Sequence, residues 1–359
     1  MTATSADPTL HVYLDVIRRN ATTVCTRLPR LEIVGVAKVT CGDPRVAGAM
    51  IKGGVTALGD SRLQNLERLR RAHPTIPLWL LRAGTPAQAA DVVNLADVSL
   101  NSEPTTLRAL DAAAGAAGRR HHVVIMVDMG DLREGVMPGD LAHVLAEVRQ
   151  LRAIRVVALG TNLTCYGAVV PTPHNLGELV ALTRSAESLL GYPLGVSGGN
   201  SSSLELALAN GLPPGITNLR VGESILLGVS TITRLPLPPL AQNAFVLEAP
   251  VVECGIKPSH PLGQIAQDAF GNRPVFTDRG ERRRAICPLG RQDCVPEGLQ
   301  PLETGVHVLG GSSDHLILDV EDMVRPPAIG ETLRFRPNYG ALLAASTSPY
   351  VRKCHHGAA

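Results

Sequence analysis

The 359-residue chain is poor in aromatic residues, which make up only 3% of it, and it is even poorer in lysine. Of its 34 basic residues only four are lysines, namely Lys38, Lys52, Lys257 and Lys353. The formal net charge is +2, and no segment interleaves a long basic run with aromatic residues. Nucleic acid is therefore not expected as a partner.

The sequence also lacks a long apolar run and a cysteine framework. The uncharged, apolar region from Leu235 to Leu247 is interrupted by three prolines, so no membrane partner or membrane span is expected. The first eight residues show neither the basic start nor the apolar stretch of a signal peptide. The seven cysteines are odd in number and form no CxxC pair, which favours reduced thiols. We therefore expect a cytoplasmic protein.

The chain has the composition of a folded protein, with 45% hydrophobic and 18% charged residues, and a length typical of two domains. Short apolar runs alternate with Ala- and Leu-rich helical stretches between about Asp15 and Leu227. The runs cover residues 33–39, 55–59, 78–81, 98–101, 123–128, 156–161, 194–197 and 218–221. Runs without polar alternation fit parallel strands buried on both faces. Eight strand–helix units predict a (β/α)8 TIM barrel over residues 12–229.

The pattern changes after Leu227. Short β-like runs at 245–252, 284–288, 306–309, 316–320 and 332–335 are separated by Gly, Pro and Asp turns, and helical spacing is absent. We predict a C-terminal β domain over residues 230–359, with residues 1–11 associated with it. The last six residues, from Cys354 to Ala359, are expected to form a frayed tail.

A lysine ends the first predicted barrel strand. In a TIM barrel the carboxyl ends of the strands carry the chemistry, and Lys38 occupies one of them. An amine that loses part of its hydration there has a lowered pKa and can form a Schiff base with a carbonyl group. The alternative is a lysine whose side chain simply reaches the solvent at the barrel mouth.

Polar residues also follow the fifth and sixth strands. Arg133 lies in the segment 128–135, where it could bind an oxyanion or a phenolate. The alternative for Arg133 is a surface ion pair with Asp128 or Asp131. Asn162 lies in the segment 160–167, which is either a cluster of hydrogen-bonding groups or a plain polar turn.

Small residues follow the last two strands, in the segments 197–203 and 218–223. Backbone N–H groups at such helix starts suit a phosphate, and TIM barrels frequently bind phosphate after strands seven and eight. Arg220 lies in the same place. Together with Lys38, this arrangement predicts pyridoxal 5'-phosphate held as a Schiff base, with Arg220 as the partner of its pyridine nitrogen.

These segments resemble the alanine-racemase-like, or fold-type III, class of pyridoxal-phosphate enzymes. The resemblance extends from His11 to Lys353. The matching stretches are 34–43, 127–135, 160–167, 197–203, 218–223, 290–293, 312–319 and 339–343. The resemblance implies a barrel followed by a β domain, an amino-acid racemase, and a homodimer whose active sites are shared between subunits.

The resemblance also implies roles for individual residues. Cofactor contacts are implied for Lys38, Arg133, Asn162, Asn200, Ser201, Arg220, Gly222, Glu223 and Tyr339. Lys38 would also act as one catalytic base. Ser201, the backbone of Gly222 and Glu223, and Tyr339 would hold the phosphate. Arg220 cannot give up its proton, so the pyridine nitrogen stays unprotonated, which favours reprotonation at Cα over transamination.

The second catalytic base departs from the family pattern. The stretch from Lys257 to Gly263 lacks the tyrosine of alanine racemases, and His260 is a candidate because imidazole exchanges protons near neutral pH. His315, Tyr166 and Cys165 are further candidates, and the alternative for His260 is a loop histidine without a catalytic role.

Two other positions bear on the site and its substrate. Asp314 matches a family residue that lines the active site from the second subunit, and the resemblance implies a catalytic role for it. Asn162 replaces the family's ring-stacking histidine. The departures at His260 and Asn162 favour a larger, basic amino acid such as ornithine over alanine.

Other functions remain as alternatives. A decarboxylase of similar architecture would release carbon dioxide, and a non-catalytic cofactor-handling protein would be a single barrel without the second domain. Metal catalysis is not expected, because His121 and His122 are adjacent on a strand and face opposite ways, and no His/Cys spacing forms a ligand set. A metal-assisted aldolase would need ligands in the β domain, for which His307 and His315 are available.

Overall fold

The computed structural model describes residues 7–358 and divides into two compact units. The barrel unit comprises Leu14–Gln242, and the β unit comprises residues 7–13 with Asn243–Gly357. The prediction that residues 1–11 associate with the β domain lies partly outside the described residues. Residues 7–13 do belong to the β unit.

The elements follow one another in a regular order. The strands are β1 (Thr9–Tyr13), β2 (Glu32–Val36), β3 (Ala57–Asp60), β4 (Leu78–Leu80), β5 (Val98–Asn101), β6 (His121–Met126), β7 (Ile154–Gly160), β8 (Gly195–Ser197), β9 (Asn218–Val221), β10 (Phe245–Pro250), β11 (Glu253–Pro258), β12 (Glu281–Cys287), β13 (Leu299–Pro301), β14 (His307–Gly311), β15 (Leu316–Asp319), β16 (Thr332–Pro337) and β17 (Arg352–His356). The helices are α1 (Leu14–Arg27), α2 (Pro44–Lys52), α3 (Leu63–Ala72), α4 (Ala89–Leu95), α5 (Pro104–Ala116), α6 (Leu141–Val148), α7 (Pro173–Leu190), α8 (Leu204–Leu208), α9 (Glu223–Leu227) and α10 (Tyr339–Thr347).

Strands β2 to β9 form a closed, eight-stranded parallel barrel, which confirms the predicted barrel. The ring closes where β2 pairs with β9, with Val34 opposite Arg220. Apolar side chains from six of the strands meet as one buried cluster. Its members are Val34, Ala57, Trp79, Val98, Leu100, Val124, Met126 and Ala158. Burial on both faces explains why these strands read as continuous apolar runs.

Lys38 lies in the short connection between strand β2 and helix α2. Strand β2 ends at Val36 rather than at residue 39, because residues Lys38–Thr40 form a single 3-10 turn. Asp43 then caps α2, accepting a 2.8 Å hydrogen bond from the N–H of Arg45. Lys38 therefore lies just beyond the carboxyl end of a barrel strand, where the sequence analysis expected it.

The segment 230–242, expected at the start of the β domain, belongs instead to the barrel unit. Ser230 Oγ donates to Glu205 Oε2 at 2.7 Å, and the N–H of Leu237 donates to the carbonyl of Gly228 at 2.9 Å. Asn20 of α1 also binds the backbone of Ala241. These hydrogen bonds fold the proline-rich segment back onto the barrel helices.

The β unit contains two sheets, which confirms the predicted β domain. The five-stranded sheet has the order β13-β16-β10-β1-β17, and the four-stranded sheet has the order β11-β12-β15-β14. Neighbouring strands are antiparallel except for β1 and β17, which are parallel. Of the helices in the described residues, none has both the length and the apolar character needed to cross a membrane.

Two expectations for the β domain are wrong. Helical structure is present as α10, which begins because the side chain of Asn338 accepts a hydrogen bond from the N–H of Ala341 and which buries Ala341, Leu342 and Ala345. The chain from Arg352 to His356 forms strand β17, paired with β1, rather than a frayed tail. The polar sequence of this segment gives no strand signal, because its strand partner, β1, lies more than 340 residues away in the sequence.

Candidate active site

A chain of polar side chains crosses the carboxyl ends of the barrel strands. Arg220 is the penultimate residue of β9, and its Nη2 donates a 2.9 Å hydrogen bond to Asn162 Oδ1. Asn162 Nδ2 in turn donates to Glu134 Oε1 at 2.6 Å. Glu134 also accepts hydrogen bonds from Arg133. The structure therefore brings Arg133, Asn162 and Arg220 together, and Arg133 pairs with Glu134 rather than with Asp128 or Asp131.

The guanidinium of Arg220 is buried but keeps its charge. Its side chain also donates to Ser197 Oγ and to the carbonyl oxygen of Thr161. Burial lowers the pKa of Arg220 to about 10, which leaves the group protonated at neutral pH. The hydrogen-bond acceptors of this cation are thus neutral oxygens, and its positive charge remains available to the site.

A second cluster joins the ends of β8 and β9. The buried hydroxyl of Ser201 accepts hydrogen bonds from the N–H of Gly222 at 3.1 Å and of Ser224 at 3.3 Å. A Cβ at Gly222 would lie 2.9 Å from the carbonyl oxygen of Val36, so only glycine fits this close approach. The side chain of Glu223 points away into an ion pair with Arg234, which leaves its backbone for the predicted role.

Asn200 connects this cluster to the loop after β7. Its Oδ1 accepts from the N–H of Ser202 at 2.8 Å, and its Nδ2 donates to the carbonyl of Leu163 at 3.0 Å and to Cys165 Sγ at 3.1 Å. Asn200, a predicted cofactor contact, therefore adjoins the predicted phosphate residues Ser201 and Gly222, which are hydrogen-bonded to each other. The donors of this region are neutral hydroxyl, amide and N–H groups.

Lys38 faces the same region but is exposed rather than buried. The neighbouring side chains therefore do not shield Lys38 from water, contrary to the prediction that its amine loses part of its hydration. Its charge still acts on the site: burial raises the pKa of the Cys165 thiol, and the positive charges of Arg133 and Lys38 oppose this rise. Lys38, Arg133 and Cys165 thus lie within electrostatic range of one another.

The loop that carries Cys165 and Tyr166 is held by one carboxylate. Buried Asp131 accepts hydrogen bonds from the N–H groups of Cys165, Tyr166 and Val169 at 3.1, 2.9 and 3.3 Å. Burial alone would raise the pKa of Asp131, but these N–H groups hold it below its usual range. Asp131 therefore acts as a clamp between the loops that follow β6 and β7.

Asp60 is a further candidate site residue, which was not predicted from the sequence. It ends β3, is fully buried, and accepts from Asn65 Nδ2 at 2.9 Å, while its Oδ2 has no hydrogen-bond partner in the part of the chain that the structure describes. Burial raises the pKa of Asp60, and Asn65 and Lys38 oppose the rise. The sequence does contain a signal for Asp60, because this residue follows an apolar run at the carboxyl end of a predicted strand, as Lys38 does.

The β unit assembles two of the segments that resemble the family. The N–H of Arg291 donates to the carbonyl of Ser312 at 2.9 Å, and Gln292 Nε2 donates to Asp314 Oδ1. A Cβ at Gly290 would lie 2.1 Å from the carbonyl oxygen of Ser313. Glycine at 290 therefore allows the two segments to meet and to orient the exposed carboxylate of Asp314.

The other predicted residues of the β unit are spread along it. His260 follows β11, where its Nδ1 lies 2.8 Å from the carbonyl oxygen of Pro261 and its ring meets Phe276 edge to face. His315 is exposed beside Asp314, and Tyr339 begins α10. The catalytic roles of His260 and Asp314 and the cofactor contact of Tyr339 stay predictions.

Comparison with known proteins gives consistent results. Residues 12–230 match the family described as "Alanine racemase, N-terminal domain". The chain is 40% identical to the lysine racemase of Thermotoga maritima over 97% of its own length and 98% of that protein. It is 41% identical to the ornithine racemase of Acetoanaerobium sticklandii over 96% and 99%. Its fold matches the crystal structure of Bartonella henselae alanine racemase with covalently bound pyridoxal phosphate, with a TM-score of 0.75, 16% identity and coverage of 98% and 100%.

Proposed function

Because the chain belongs to the alanine racemase N-terminal domain family and is an amino-acid racemase, we propose that it interconverts the L- and D-enantiomers of ornithine or a similar basic amino acid. One observation carries the choice of substrate: the lysine and ornithine racemases match the chain from end to end at 40% and 41% identity. These full-length matches favour racemisation over the alternatives of decarboxylation and non-catalytic cofactor handling.

The residues at the barrel mouth fit pyridoxal 5'-phosphate as the cofactor. Neutral donors that converge around the Ser201 hydroxyl suit a phosphate ester, and a hydroxyl that accepts two hydrogen bonds still has its own proton to donate. The exposed amine of Lys38 is available to bond an aldehyde. Arg133, Asn162 and Arg220 supply further polar contacts between these two ends of the site.

Racemisation requires that a proton leave Cα and return on the opposite face. Pyridoxal phosphate, when bound, supplies an electron sink for the negative charge that develops at Cα. Lys38 Nζ would take or return the proton on one face. Arg220, held as a cation by Thr161, Asn162 and Ser197, would withhold a proton from the pyridine nitrogen, which favours return of the proton to Cα.

The opposite face needs a second base, for which we propose His260 of the β unit. Asp314 would be a further catalytic residue, and Tyr339 would complete the phosphate site. In the proposed homodimer, His260 and Asp314 would come from the second subunit. His315, Tyr166 and Cys165 stay alternatives for the base. The seven free thiols fit the reducing conditions of the cytoplasm, where we propose that the enzyme acts.

Isotope exchange tests the proposed reaction. The enzyme is incubated with L-ornithine or L-lysine in D2O, and the products are analysed by chiral chromatography and mass spectrometry. We expect the D-enantiomer to appear with deuterium at Cα and without release of carbon dioxide. Absence of Cα deuterium from every basic amino acid would contradict the proposal, and release of carbon dioxide would favour the decarboxylase.

Cofactor attachment is tested separately from activity. After borohydride reduction, peptide mass spectrometry should find the pyridoxyl group on Lys38. The Lys38→Ala variant should lose both the label and the visible absorbance. Lys52→Ala, in α2, is the matched control and should retain them. A label on another lysine would reject Lys38 as the anchor.

A further inference from the structure

The two ends of the chain bring three metal-ligand side chains together in the β unit. Strand β1 lies between β10 and β17 in the five-stranded sheet. In the parallel register, His11 is opposite Cys354 and Tyr13 is opposite His356. Because residues i and i+2 of a strand share a face, His11, Cys354 and His356 all project from the same side of the sheet.

The ligand atoms of these side chains are already close. One atom from each of His11, Cys354 and His356 lies within 4.8 Å of the others. His11 Nδ1 is 2.8 Å from His356 Nε2, and the two rings stack at a centroid distance of 5.1 Å. The ring of Tyr13 also stacks on His356, at a centroid distance of 4.8 Å, which restricts the orientation of that imidazole. Small side-chain movements would allow all three atoms to bind one ion.

A carboxylate on the third strand completes the arrangement. Glu248 of β10 places Oε2 at 3.2 Å from His11 Nε2. Of the two ring nitrogens of His11, Nδ1 lies near His356 and Nε2 lies near Glu248. Protein metal sites commonly show this carboxylate–histidine pair, which fixes the tautomer and raises the basicity of the ligating nitrogen.

The chemistry of the three side chains indicates the class of ion that would bind. Two imidazole nitrogens and a thiolate are ligands preferred by Zn2+ and related transition metals, and are a poor set for Mg2+ or Ca2+.

We propose that His11, Cys354 and His356 bind a divalent transition metal of the zinc class, which fastens the C-terminal edge strand β17 to β1. The site is in the β unit and is independent of the proposed racemase chemistry. Its ligands come from the two ends of the chain, which explains why spacing in the sequence indicated no ligand set. Metal binding to folded protein adds its free energy to folding, so it should stabilise the edge strand.

Cobalt provides a direct probe. Protein treated with a chelator and then dialysed is titrated with Co2+. We expect one equivalent to produce a thiolate-to-cobalt charge-transfer absorbance, which Zn2+ then displaces. Cys354→Ser should lose this absorbance, and His356→Ala should bind at least about tenfold more weakly. No absorbance in the wild type, or equal absorbance in Cys354→Ser, would overturn the proposal.

Two control variants separate this site from other ligands on the same sheets. His355→Ala removes the imidazole between the two ligands of β17, on the opposite face of the strand, and should leave cobalt binding unchanged. Cys254→Ser removes a half-buried thiol of β11 and should also leave it unchanged. Loss of binding in either control at the level of Cys354→Ser would place the ion elsewhere and contradict the proposal.

A measurement on the wild-type protein avoids dependence on the folding of any variant. Iodoacetamide is added with and without Zn2+, and alkylation of each cysteine is followed by peptide mass spectrometry. We expect Zn2+ to slow alkylation of Cys354 at least about tenfold, because a bound thiolate is no longer free to react. Equal alkylation of Cys354 in both samples would reject it as a ligand, whatever the racemase activity.

Discussion

Arg220 Nη2 donates a 2.9 Å hydrogen bond to Asn162 Oδ1, and this contact joins the end of β9 to the loop after β7. Arg220 is almost fully buried, and its charge is met by Asn162, Ser197 and the carbonyl of Thr161. Neutral oxygens do not cancel the positive charge of a guanidinium, as a carboxylate would, so the electrostatic potential of Arg220 at the site stays more positive. Glu134 does not bind Arg220 directly but accepts a hydrogen bond from Nδ2 of Asn162.

The first prediction concerns this buried cation. Asn162→Ala removes one acceptor from Arg220, and we expect the free energy of unfolding to fall by roughly 1–3 kcal/mol, because a buried guanidinium N–H loses its partner. Urea denaturation measures the change. Asn94→Ala, at an exposed position of α4, should stay within about 0.5 kcal/mol of wild type. An Asn162→Ala variant as stable as wild type would show that the contact contributes little.

The second prediction concerns the clamp formed by Asp131. Asp131→Asn keeps the shape of the side chain but removes the charge that the N–H groups of Cys165, Tyr166 and Val169 stabilise. We expect faster hydrogen exchange at these amides, with a loss of stability of about 1–3 kcal/mol. Peptide-resolved exchange over residues 163–170 is the measurement.

A matched control and a pH test accompany this prediction. Asp140→Asn, at an exposed acidic residue before α6, should leave exchange in the loop unchanged. The folded-state pKa of Asp131 is depressed, so its contribution is present above the unfolded pKa of about 3.9 and is lost as pH falls below that value. Unchanged exchange in Asp131→Asn would mean that the loop is held by other contacts.

The barrel was predictable because its strands are buried on both faces, and this leaves uniform apolar runs in the sequence. The positions of Lys38, Ser201 and Arg220 followed, since the carboxyl ends of all eight strands meet at one mouth. The partner of Arg133 did not follow, because Asp128, Asp131 and Glu134 are all near in sequence. Only the loop conformation turns Asp131 toward residues 165–169 and leaves Glu134 for Arg133.

The β unit was harder to predict because its elements depend on distant partners. Strand β11 is exposed or half-buried along its length and has no apolar run to reveal it. Strand β17 contains Lys353, Cys354 and two histidines, yet it is fixed by five residue pairs with β1. The exposure of Lys38 agrees with the alternative of a lysine that reaches the solvent at the barrel mouth, because strand burial says little about the residue just beyond the strand end.

The third prediction tests the shared active site of the proposed homodimer. Lys38→Ala and Asp314→Ala should each be inactive alone. If Asp314 acts in the other subunit, a heterodimer of the two variants has one intact site of two, so the doubly purified heterodimer should recover about half of wild-type activity. Co-expression with two affinity tags, followed by racemase assays of the doubly purified dimer, measures this recovery.

The control pair for complementation consists of two barrel variants. Lys38→Ala with Arg220→Gln should restore no activity, because both residues belong to the same barrel and each site of the heterodimer carries one defect. Recovery by this pair would indicate exchange of material rather than shared sites. Failure of the Lys38→Ala and Asp314→Ala pair to recover, with heterodimer present, would contradict the assignment of Asp314 to the partner's site.

The last prediction concerns the acid limit of stability, which His121 helps to set. As predicted, His121 and His122 face opposite ways: His121 is buried against Ser99 Oγ at 2.8 Å, while His122 is exposed. Burial lowers the pKa of His121 to about 4. The unfolded chain, with a histidine pKa near 6.5, therefore binds more protons than the folded chain between about pH 4 and pH 6.5, so stability is lost as pH falls through this window.

The full difference of about 2.5 pKa units corresponds to roughly 3 kcal/mol. His121→Gln keeps a polar partner for Ser99 but cannot titrate, so its free energy of unfolding should fall less steeply below pH 6.5 than that of wild type. Urea unfolding at intervals from pH 4 to pH 7 measures both slopes. His143→Gln, at an exposed position of α6, should follow the wild-type slope. Parallel slopes for wild type and His121→Gln would show that other groups set the acid limit, because the buried imidazole would then be taking up no proton on unfolding.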